Sequence, residues 1–345
     1  MQAQQYKFST KTIDCYFDAD FSLLEKLVSK QKVVIITDEN IASIYADKFS
    51  GWKVITIKSG EEHKQQSTVD NLIDQLIKLQ ADKETFIIGI GGGVITDITG
   101  YAASVYMRGI KFAFIPTTIL AMVDAAIGGK NGVDVGIYKN LVGVIRHPEF
   151  LLYDFSLLKT LPNEEWINGF AEVIKHACIK DFKMFENLEN SSLDEFKSDQ
   201  HKISELVKRN VDIKYNVVAN DEFETGERKL LNFGHTIGHA IENICKISHG
   251  NAVSIGIVAA CKISESLIAF AETETKRITL LIERYHLPVN LNFDADKIWE
   301  ILLMDKKKAG EKMNFILLEK IGKGIVKPVP LSQLKELINT KVCDN

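Results

Sequence analysis

Short β-branched runs alternate with an amphipathic segment in the first half of the chain, and this alternation constrains the fold more than any other feature. Four runs have the composition of strands, at 33–37, 53–57, 85–90 and 112–115. Between the second and third runs, apolar residues 69, 72, 73, 76 and 77 have the i, i+3, i+4 spacing of a helix. Strand, helix, strand in that order predicts a mostly parallel sheet covered by helices. We therefore predict an α/β fold for this half.

Long helical periodicities replace the short runs in the second half. They cover 164–181, 201–221, 232–246, 251–270 and 273–285. A chain of 345 residues exceeds what one core comfortably supports. We therefore predict an α/β domain over 1–156 and an all-α domain over 157–345. Within the second, the apolar runs 315–318 and 324–326 indicate a small hairpin.

Composition excludes several classes of protein. The net charge of −4 gives no basic field for nucleic acid. No run approaches the ~18 apolar residues of a membrane span, and residues 1–20 lack the apolar core of a secretion signal. Five cysteines, an odd number without C-x-x-C spacing, indicate reduced thiols rather than a disulfide framework. We expect a cytoplasmic protein with neither a nucleic-acid nor a membrane partner.

A glycine triplet, Gly91 to Gly93, follows the third predicted strand and precedes a helix-compatible segment. Glycines there let the backbone approach a pyrophosphate, but the spacing is not G-x-G-x-x-G, so a tight turn is an equal alternative. Asp38 and Glu61 follow the first two strands, where carboxylates can accept ribose hydroxyls, and Lys64 can meet a phosphate. Taken singly, these three are more commonly helix-capping acids and a solvated lysine.

A second glycine-rich stretch runs from Met122 to Gly132, past the fourth predicted strand. It carries Asp124 and Lys130 beside three glycines, and Lys139 and Asn140 continue its polar character. We predict a loop that passes close to a ligand. The alternative is a glycine-rich surface loop.

Two histidines one helical turn apart, His235 and His239, share a helix face and can address one small object. In an apolar helical segment, Glu172 and Lys175 also share a face. Their mutual ion pair is the ordinary explanation; the alternative makes Glu172 the third ligand of a His/His/Glu zinc site with open coordination positions. Spacing leaves open whether His239 or His249 completes the pair, and the spare histidine can move protons near neutral pH.

Several cations are grouped in the second half, although each alone is typical of a solvated surface. They are Lys214, Arg228 and the tandem Lys306-Lys307. Together with Arg108, Lys130 and Lys175 they indicate a substrate with two or more anionic groups.

These motifs, in this order, resemble those of the 3-dehydroquinate synthase family along nearly the whole chain. The resemblance rests on Gly91-Gly92-Gly93-Val94 with Asp97, the 116–130 segment, Gly169-x-Ala171-Glu172-Val173-Ile174-Lys175 and the run from Leu231 to Glu242. It implies an N-terminal NAD-binding α/β domain, a helical C-terminal domain and a homodimer. The ordered set is far more specific than any one motif.

The resemblance also assigns site residues, with zinc, or cobalt in its place, held by Glu172, His235 and His249. NAD would be contacted by Asp38, Glu61, Lys64, Gly92, Gly93, Val94, Asp97, Thr117, Thr118, Lys139 and Thr160. A sugar phosphate would be contacted by Arg108, Asp124, Lys130, Asn140, Lys175, Lys214, Arg228, Asn232, His239 and Lys306. Within that set the catalytic residues would be Lys175, His239, Asp124, Lys130 and Asn232. Arg108 resembles an arginine that the family supplies across a dimer interface.

The reaction that the resemblance implies converts 3-deoxy-D-arabino-heptulosonate 7-phosphate into 3-dehydroquinate and phosphate. It proceeds by transient oxidation with NAD, phosphate elimination, re-reduction and an intramolecular aldol closure. Two rivals remain: another sugar-phosphate cyclase, and a glycerol-type NAD- and metal-dependent dehydrogenase. The dense set of cations argues against a neutral polyol, since buried cations without partners are costly.

Overall fold

The structure is a computed structural model that describes residues 1–136, 138–291, 294–306 and 311–342, with the side chains of 304–306 and 342 outside the description. The chain divides into two compact units. The first comprises Met1–Glu165 with Gln200–Glu222, and the second comprises Trp166–Asp199 with Phe223–Asn345.

Nine strands are described in the first unit. They are β1 (Gln2–Lys7), β2 (Thr12–Phe17), β3 (Val33–Asp38), β4 (Lys53–Ile57), β5 (Phe86–Gly91), β6 (Lys111–Pro116), β7 (Lys130–Val135), β8 (Tyr138–Ile145) and β9 (Phe150–Leu152). Seven form one sheet in the order β1-β2-β9-β6-β5-β3-β4. Within this seven-stranded sheet, the β1–β2 pair is antiparallel and the other described pairs are parallel. The four strands predicted from the sequence are confirmed as β3, β4, β5 and β6, and so is the mostly parallel sheet.

Thirteen α-helices are described. They are α1 (Leu24–Leu27), α2 (Glu39–Ile44), α3 (Gln66–Lys78), α4 (Gly93–Val105), α5 (Asn163–Lys180), α6 (Phe182–Glu189), α7 (Leu193–Ser198), α8 (Gln200–Asn220), α9 (His235–Cys245), α10 (His249–Ile268), α11 (Glu272–Arg284), α12 (Ala295–Lys306) and α13 (Leu331–Leu337). Shorter turns are of the 3-10 type at Phe21–Leu23, Lys30–Lys32, Ala46–Phe49, Glu61–His63, Tyr106–Arg108, Phe155–Thr160 and Glu227–Asn232, and of the π type at Ala121–Ala125 and Ile338–Val342.

The parallel strands end at one edge of the sheet, and this edge positions the polar side chains that follow them. β3 lies between β4 and β5, and β5 is paired to β6. The interior residues of β3, β5 and β6 are buried on both faces, which explains the nearly continuous apolar runs in the sequence. The segments after β3, β4, β5 and β6 therefore emerge side by side at their carboxyl ends.

The glycine-rich stretch differs from the predicted loop. Residues 121–125 form a π-helical turn, and Lys130 begins β7, which pairs with β8 as an antiparallel hairpin. Gly132 and Gly143 lie opposite each other in this hairpin, and a Cβ at Gly132 would lie 2.5 Å from the carbonyl oxygen of Val142. Close backbone approach within a hairpin therefore explains Gly132 without any ligand.

The predicted domain boundary between residues 156 and 157 stays a prediction, while the two compact units divide the chain at several points. α8 belongs to the first unit, because its polar residues bond there. The Tyr6 hydroxyl donates to Asp212 at 2.6 Å, and the Tyr215 hydroxyl donates to the Lys7 carbonyl at 3.0 Å. Helical periodicity predicted α8 but did not indicate the core against which it packs.

The second unit is helical, as predicted, but not purely so. Strands β10 (Lys312–Lys320) and β11 (Lys323–Pro330) form an antiparallel hairpin, which confirms the small hairpin predicted within this helical domain. The central helix, α10, has a length and composition that would suit a membrane span, yet 67% of that apolar window is buried inside the protein. It serves here as a core helix against which α9, α11 and β10 pack.

Candidate functional site

Helices α9 and α10 contact each other backbone to backbone, and this contact places two histidines together. A Cβ at Gly256 would lie 1.9 Å from the Gly234 carbonyl oxygen, and one at Gly238 would lie 2.9 Å from that of Ala252. Gly234 itself has φ 79°, a left-handed conformation that favours glycine. The first residue of α9, His235, thus lies near the first residue of α10, His249, with ring centroids 5.3 Å apart.

Glu172 completes this cluster from α5, where its side chain is fully buried. Its Oε1 lies 3.0 Å from Nε2 of His249 and 3.3 Å from Nε2 of His235. The donor atoms of these three residues all lie within 4.8 Å of one another. One carboxylate oxygen and two imidazole nitrogens form a donor set that suits zinc, and three protein ligands leave a coordination position open.

The third histidine, His239, lies beside this trio. Its ring centroid is 5.1 Å from that of His235 and 6.0 Å from that of His249. A second group with metal-binding spacing combines His239 with Glu242 and His249. His249 is common to both groups, whereas Glu172 pairs with His235 and not His239 in the first.

The charges of the cluster balance within the second unit. Lys175, itself buried, forms an ion pair with Glu172 Oε2. Burial alone would raise the pKa of Glu172, but Lys175 and the two histidines hold it well below its usual range. Burial would lower the pKa of His249, yet hydrogen bonds to Glu172 and Glu242 raise it to about 10.

His239 behaves differently. Burial, reinforced by the neighbouring His235 and His249, lowers the pKa of His239 to about 3. Its imidazole is therefore neutral at pH 7, with one nitrogen free of a proton.

The remaining sequence-predicted residues of this unit lie on the segment before α9. Asn232 Nδ2 donates to Glu224 Oε1 at 2.5 Å, and Arg228 is 2% exposed within the Glu227–Asn232 turn. Lys306 ends α12, and its side chain lies outside the described residues.

In the first unit, the glycine triplet occupies the turn from β5 to α4. Gly92 precedes the first helical residue, Gly93, and Val94 follows in the first turn. A Cβ at Gly91 would lie 2.5 Å from Ile95, so the turn is closely packed. Thr117 donates its amide to the Gly91 carbonyl at 2.9 Å, and Thr118 Cγ2 lies 3.2 Å from the Cβ position of Gly92. The amide end of α4 is a suitable place for an anion.

A polar network joins the segment after β4 to the β7–β8 hairpin. Lys64 donates to Asp97 Oδ2, and to Asn140 Oδ1 at 2.5 Å. Lys139 Nζ lies 3.0 Å from Glu61 Oε1. Burial would lower the pKa of Lys64, but Asp97 and Glu61 raise it overall, so its ammonium stays charged. The structure thus brings five sequence-predicted residues together.

Asp134 is a member of this network that sequence reasoning missed. Its Oδ1 accepts the Asn140 amide at 2.7 Å, its Oδ2 lies 3.4 Å from Lys139 Nζ, and its own amide donates to the Lys64 carbonyl at 2.8 Å. Asn140 has φ 52°. The alternating Val133-Asp134-Val135 before Gly136 was a signal for a strand and turn.

Other sequence-predicted residues of the first unit fall into smaller groups. Lys214 Nζ donates to the Asp124 carbonyl at 2.7 Å and to Asp124 Oδ1 at 2.8 Å. Asp38 caps α2, because its Oδ1 accepts the amides of residues 40 and 41, both at 3.0 Å. Thr160 Oγ1 bonds instead with the Tyr45 hydroxyl at 2.6 Å. Arg108 is exposed in the turn after α4, with φ 61°.

The chain was compared with known proteins. Residues 54–168 match the family described as 3-dehydroquinate synthase N-terminal, and residues 169–308 match 3-dehydroquinate synthase C-terminal. A relative named 3-dehydroquinate synthase, from Campylobacter concisus (strain 13826), is 38% identical over 314 residues, covering 88% of this chain and 90% of the relative.

Two solved structures have a similar fold over almost their full length. One is a 2-deoxy-scyllo-inosose synthase complexed with carbaglucose-6-phosphate, NAD+ and Co2+; it has TM-score 0.84 and 27% identity and covers 98% of this chain and 99% of its own. The other is ValA, a 2-epi-5-epi-valiolone synthase from Streptomyces hygroscopicus subsp. jinggangensis 5008 with NAD+ and Zn2+ bound; it has TM-score 0.87 and 25% identity and covers 97% and 98%. From the matched residues and the extent of the identity, the chain belongs to the 3-dehydroquinate synthase family.

Proposed function

We propose that this protein converts 3-deoxy-D-arabino-heptulosonate 7-phosphate into 3-dehydroquinate and phosphate. The observation that carries the proposal is the buried cluster of Glu172, His235 and His249 in a chain of this family. The reaction class is a carbon–oxygen lyase acting on a phosphate.

The proposed cofactors are NAD+ and zinc, with cobalt as a substitute. The two solved relatives contain NAD+ together with Zn2+ or Co2+. We assign the metal to Glu172, His235 and His249, because their donor atoms converge and match the preferences of zinc. When bound, NAD+ supplies a hydride acceptor that is regenerated in each turnover, and zinc supplies a Lewis acid that polarises the substrate hydroxyl.

We assign NAD+ to the carboxyl edge of the sheet in the first unit. The Lys64 network and the amide end of α4 support this assignment, since a dinucleotide needs cations and amides for its phosphates and acceptors for its riboses. The proposed contacts are those that the family motif gives: Asp38, Glu61, Lys64, Gly92, Gly93, Val94, Asp97, Thr117, Thr118, Lys139 and Thr160. Two of them, Asp38 and Thr160, also have structural roles, as a helix cap and as a partner of Tyr45.

The residues of the second unit supply orientation and hydrogen-bond donors. Lys175 forms an ion pair with Glu172, and its remaining N–H groups can donate to a substrate oxygen. The neutral imidazole of His239 keeps one N–H, which can donate a hydrogen bond to an oxygen of the departing phosphate. Arg228 and Asn232 lie on the segment just before α9, and we assign them, with Lys306, to the substrate's anionic groups.

In the first unit, Lys214 and Asp124 form a pair in which the lysine is anchored by two oxygens of one residue. An anchored cation keeps its position when substrate binds, which lowers the entropic cost of ordering the substrate. We assign this pair, with Lys130 and Asn140, to substrate binding and to orientation of the phosphate during elimination.

The rival sugar-phosphate cyclases share this fold, so fold alone does not separate them from the proposal. Sequence identity does favour one branch: 38% to a relative named 3-dehydroquinate synthase, against 27% and 25% to the inosose and valiolone synthases. A glycerol-type dehydrogenase would instead consume NAD+ stoichiometrically.

The proposed assembly is a homodimer in which Arg108 acts on the partner's substrate. The β7–β8 hairpin supports it, because several of its apolar side chains are exposed and Leu141 is 60% exposed. The others are Val135, Tyr138, Val142 and Ile145. Mixing subunits that carry Arg108→Ala with subunits that carry Lys175→Ala should restore about a quarter of the activity, since half of the dimers would contain one complete site. Failure of mixing to restore activity would contradict the shared site.

We propose a cytoplasmic location. Cys15, Cys178 and Cys261 are buried free thiols and Cys245 is a partly exposed one. Reduced cysteines are typical of that compartment.

The decisive experiment incubates the purified protein with the heptulosonate phosphate, NAD+ and zinc. Phosphate release and absorbance at 340 nm are followed together. The proposal predicts phosphate release with no net accumulation of NADH. Steady NADH accumulation with glycerol, and no phosphate release from the heptulosonate, would favour the dehydrogenase.

A further inference from the structure

Each histidine of the metal cluster is held at the ring nitrogen that points away from Glu172. His235 Nδ1 lies 3.1 Å from the Phe233 carbonyl oxygen, and His249 Nδ1 lies 3.2 Å from Glu242 Oε2. A carbonyl and a carboxylate only accept hydrogen bonds, so both rings must donate from Nδ1. When a ring gives up its second proton to bind a metal, the lone pair is therefore left on Nε2, the atom that faces Glu172 in both residues.

The two rings are held by different means. The acceptor for His235 is a backbone carbonyl, which no side-chain substitution removes. The acceptor for His249 is a side chain, Glu242, which lies on α9 two helical turns after His235 and so on the same face. The carboxylate is mostly buried, with 11% of its side chain exposed.

The backbone of His249 is fixed independently of its ring. The next residue, Gly250, donates its amide to Asn168 Oδ1 at 2.5 Å. A Cβ at Gly250 would lie 2.2 Å from the Asn168 carbonyl, so α10 starts in direct contact with α5, the helix that carries Glu172. With the main chain anchored in this way, the remaining freedom of His249 is rotation of its side chain, and Glu242 is the group that restrains it.

We infer that Glu242 is a positioning residue for the metal: it sets the tautomer and ring orientation of His249 without itself binding the ion. Carboxylates that accept the second N–H of a ligand histidine fix its ring and raise its basicity, and their loss typically weakens metal binding by about 10- to 100-fold. The inference rests on the proposed metal site. It competes with one alternative, in which Glu242 is itself a ligand together with His239 and His249.

Two substitutions separate these roles. Glu242→Gln keeps a neutral oxygen that can accept from Nδ1, whereas Glu242→Leu removes the acceptor. The control is Glu272→Leu, a surface glutamate of the same unit that pairs with Lys276 at 2.8 Å. His235→Ala provides the reference for loss of a ligand. The metal-free unfolding temperature of each variant shows whether it still folds.

The readouts are the zinc dissociation constant, from competition with a chelator, and the visible absorption of the cobalt-substituted protein. We expect Glu242→Leu to weaken zinc binding by about 10- to 100-fold and to alter the cobalt bands. Glu242→Gln should stay within about 10-fold of the parent and keep the band positions. Glu272→Leu should match the parent.

Three other outcomes would overturn the inference in distinguishable ways. Unchanged zinc binding in Glu242→Leu would show that Glu242 has no positioning role. A loss in Glu242→Gln as large as that in His235→Ala would make Glu242 a ligand. Full zinc retention in His235→Ala would instead refute the proposed metal site on which the inference depends.

Discussion

The buried cluster of the second unit and the polar network of the first unit are built on different principles. Glu172, His235 and His249 come from three helices in direct backbone contact, and their donor atoms converge on one small volume. The Lys64 network comes from strand ends and a hairpin, and its members include Glu61, whose side chain is 46% exposed. Helices in direct backbone contact can bind a small ion, whereas segments at the ends of neighbouring strands can contact an extended ligand along its length.

The first test of this comparison removes one histidine at a time from the second unit. His235→Ala should weaken zinc binding by roughly 100-fold or more, because one of three ligands is lost from a site of this class. His239→Ala should keep the metal but lose most turnover, since it would remove a hydrogen-bond donor to the phosphate. Metal content after dialysis and phosphate release under excess zinc measure the two effects. The reverse pattern would move the metal to His239.

The second test removes the cation from the first unit. In Lys64→Met, Asp97, whose side chain is only 15% exposed, would lose this partner, and the free energy of unfolding should fall by about 3 kcal/mol at pH 7. Urea denaturation measures this loss. The control, Lys32→Met, breaks an exposed pair with Glu84 and should leave the unfolding midpoint unchanged.

The pH dependence of that variant gives a sharper version of the same test. Burial raises the pKa of Asp97, and without Lys64 nothing so close offsets this shift. When folding raises the pKa of a carboxyl, the folded protein becomes less stable as the pH rises through that pKa. The difference between Lys64→Met and the parent should therefore shrink as the pH falls. A difference that stays constant between pH 7 and pH 4 would mean that the charge on Asp97 is not its cause.

The sequence predicted the helical part of the site well, but not its membership. The i, i+4 spacing indicates that His235 and His239 share a face, which is true. That Glu172 meets His249 depends on the contact between Asn168 and Gly250, two residues whose packing has no local signature. Only the family resemblance selected His249.

The first unit shows the converse. Strand boundaries were predictable because apolar runs buried on both faces are continuous in the sequence. The partners of Asp134 were not, because the register of a hairpin brings residue 134 to residues 139 and 140. The grouping of α8 with this unit was not predicted for a related reason: amphipathic periodicity specifies that a face is buried, not which core buries it.

The third test addresses the hairpin. Asp134→Ala should weaken NAD+ binding by about 10-fold and destabilise the protein by about 1–2 kcal/mol, because the Asn140 amide loses its acceptor and Lys139 loses one of its carboxylate partners. Asp134→Asn keeps an oxygen for the amide and should lose less of both. Calorimetric titration with NAD+ and urea denaturation measure the effects. Equal losses in the two variants would mean that the charge, rather than the hydrogen bond, organises the hairpin.

The smallest effect concerns backbone strain, and it separates the two regions most directly. Asn140→Ala and Asn140→Gly both remove the acceptor of Lys64, so they differ mainly in the cost of φ 52°. An alanine in the left-handed region costs about 1 kcal/mol, whereas glycine adopts it freely. In urea denaturation, Asn140→Gly should therefore be the more stable variant. The difference should be somewhat below that amount, because glycine has more conformational entropy in the unfolded chain. In the second unit the left-handed position before His235 is already a glycine, Gly234, so no comparable strain is held there. An alanine variant as stable as the glycine variant would show that the hairpin relaxes, and that the network of the first unit is more adaptable than its hydrogen bonds indicate.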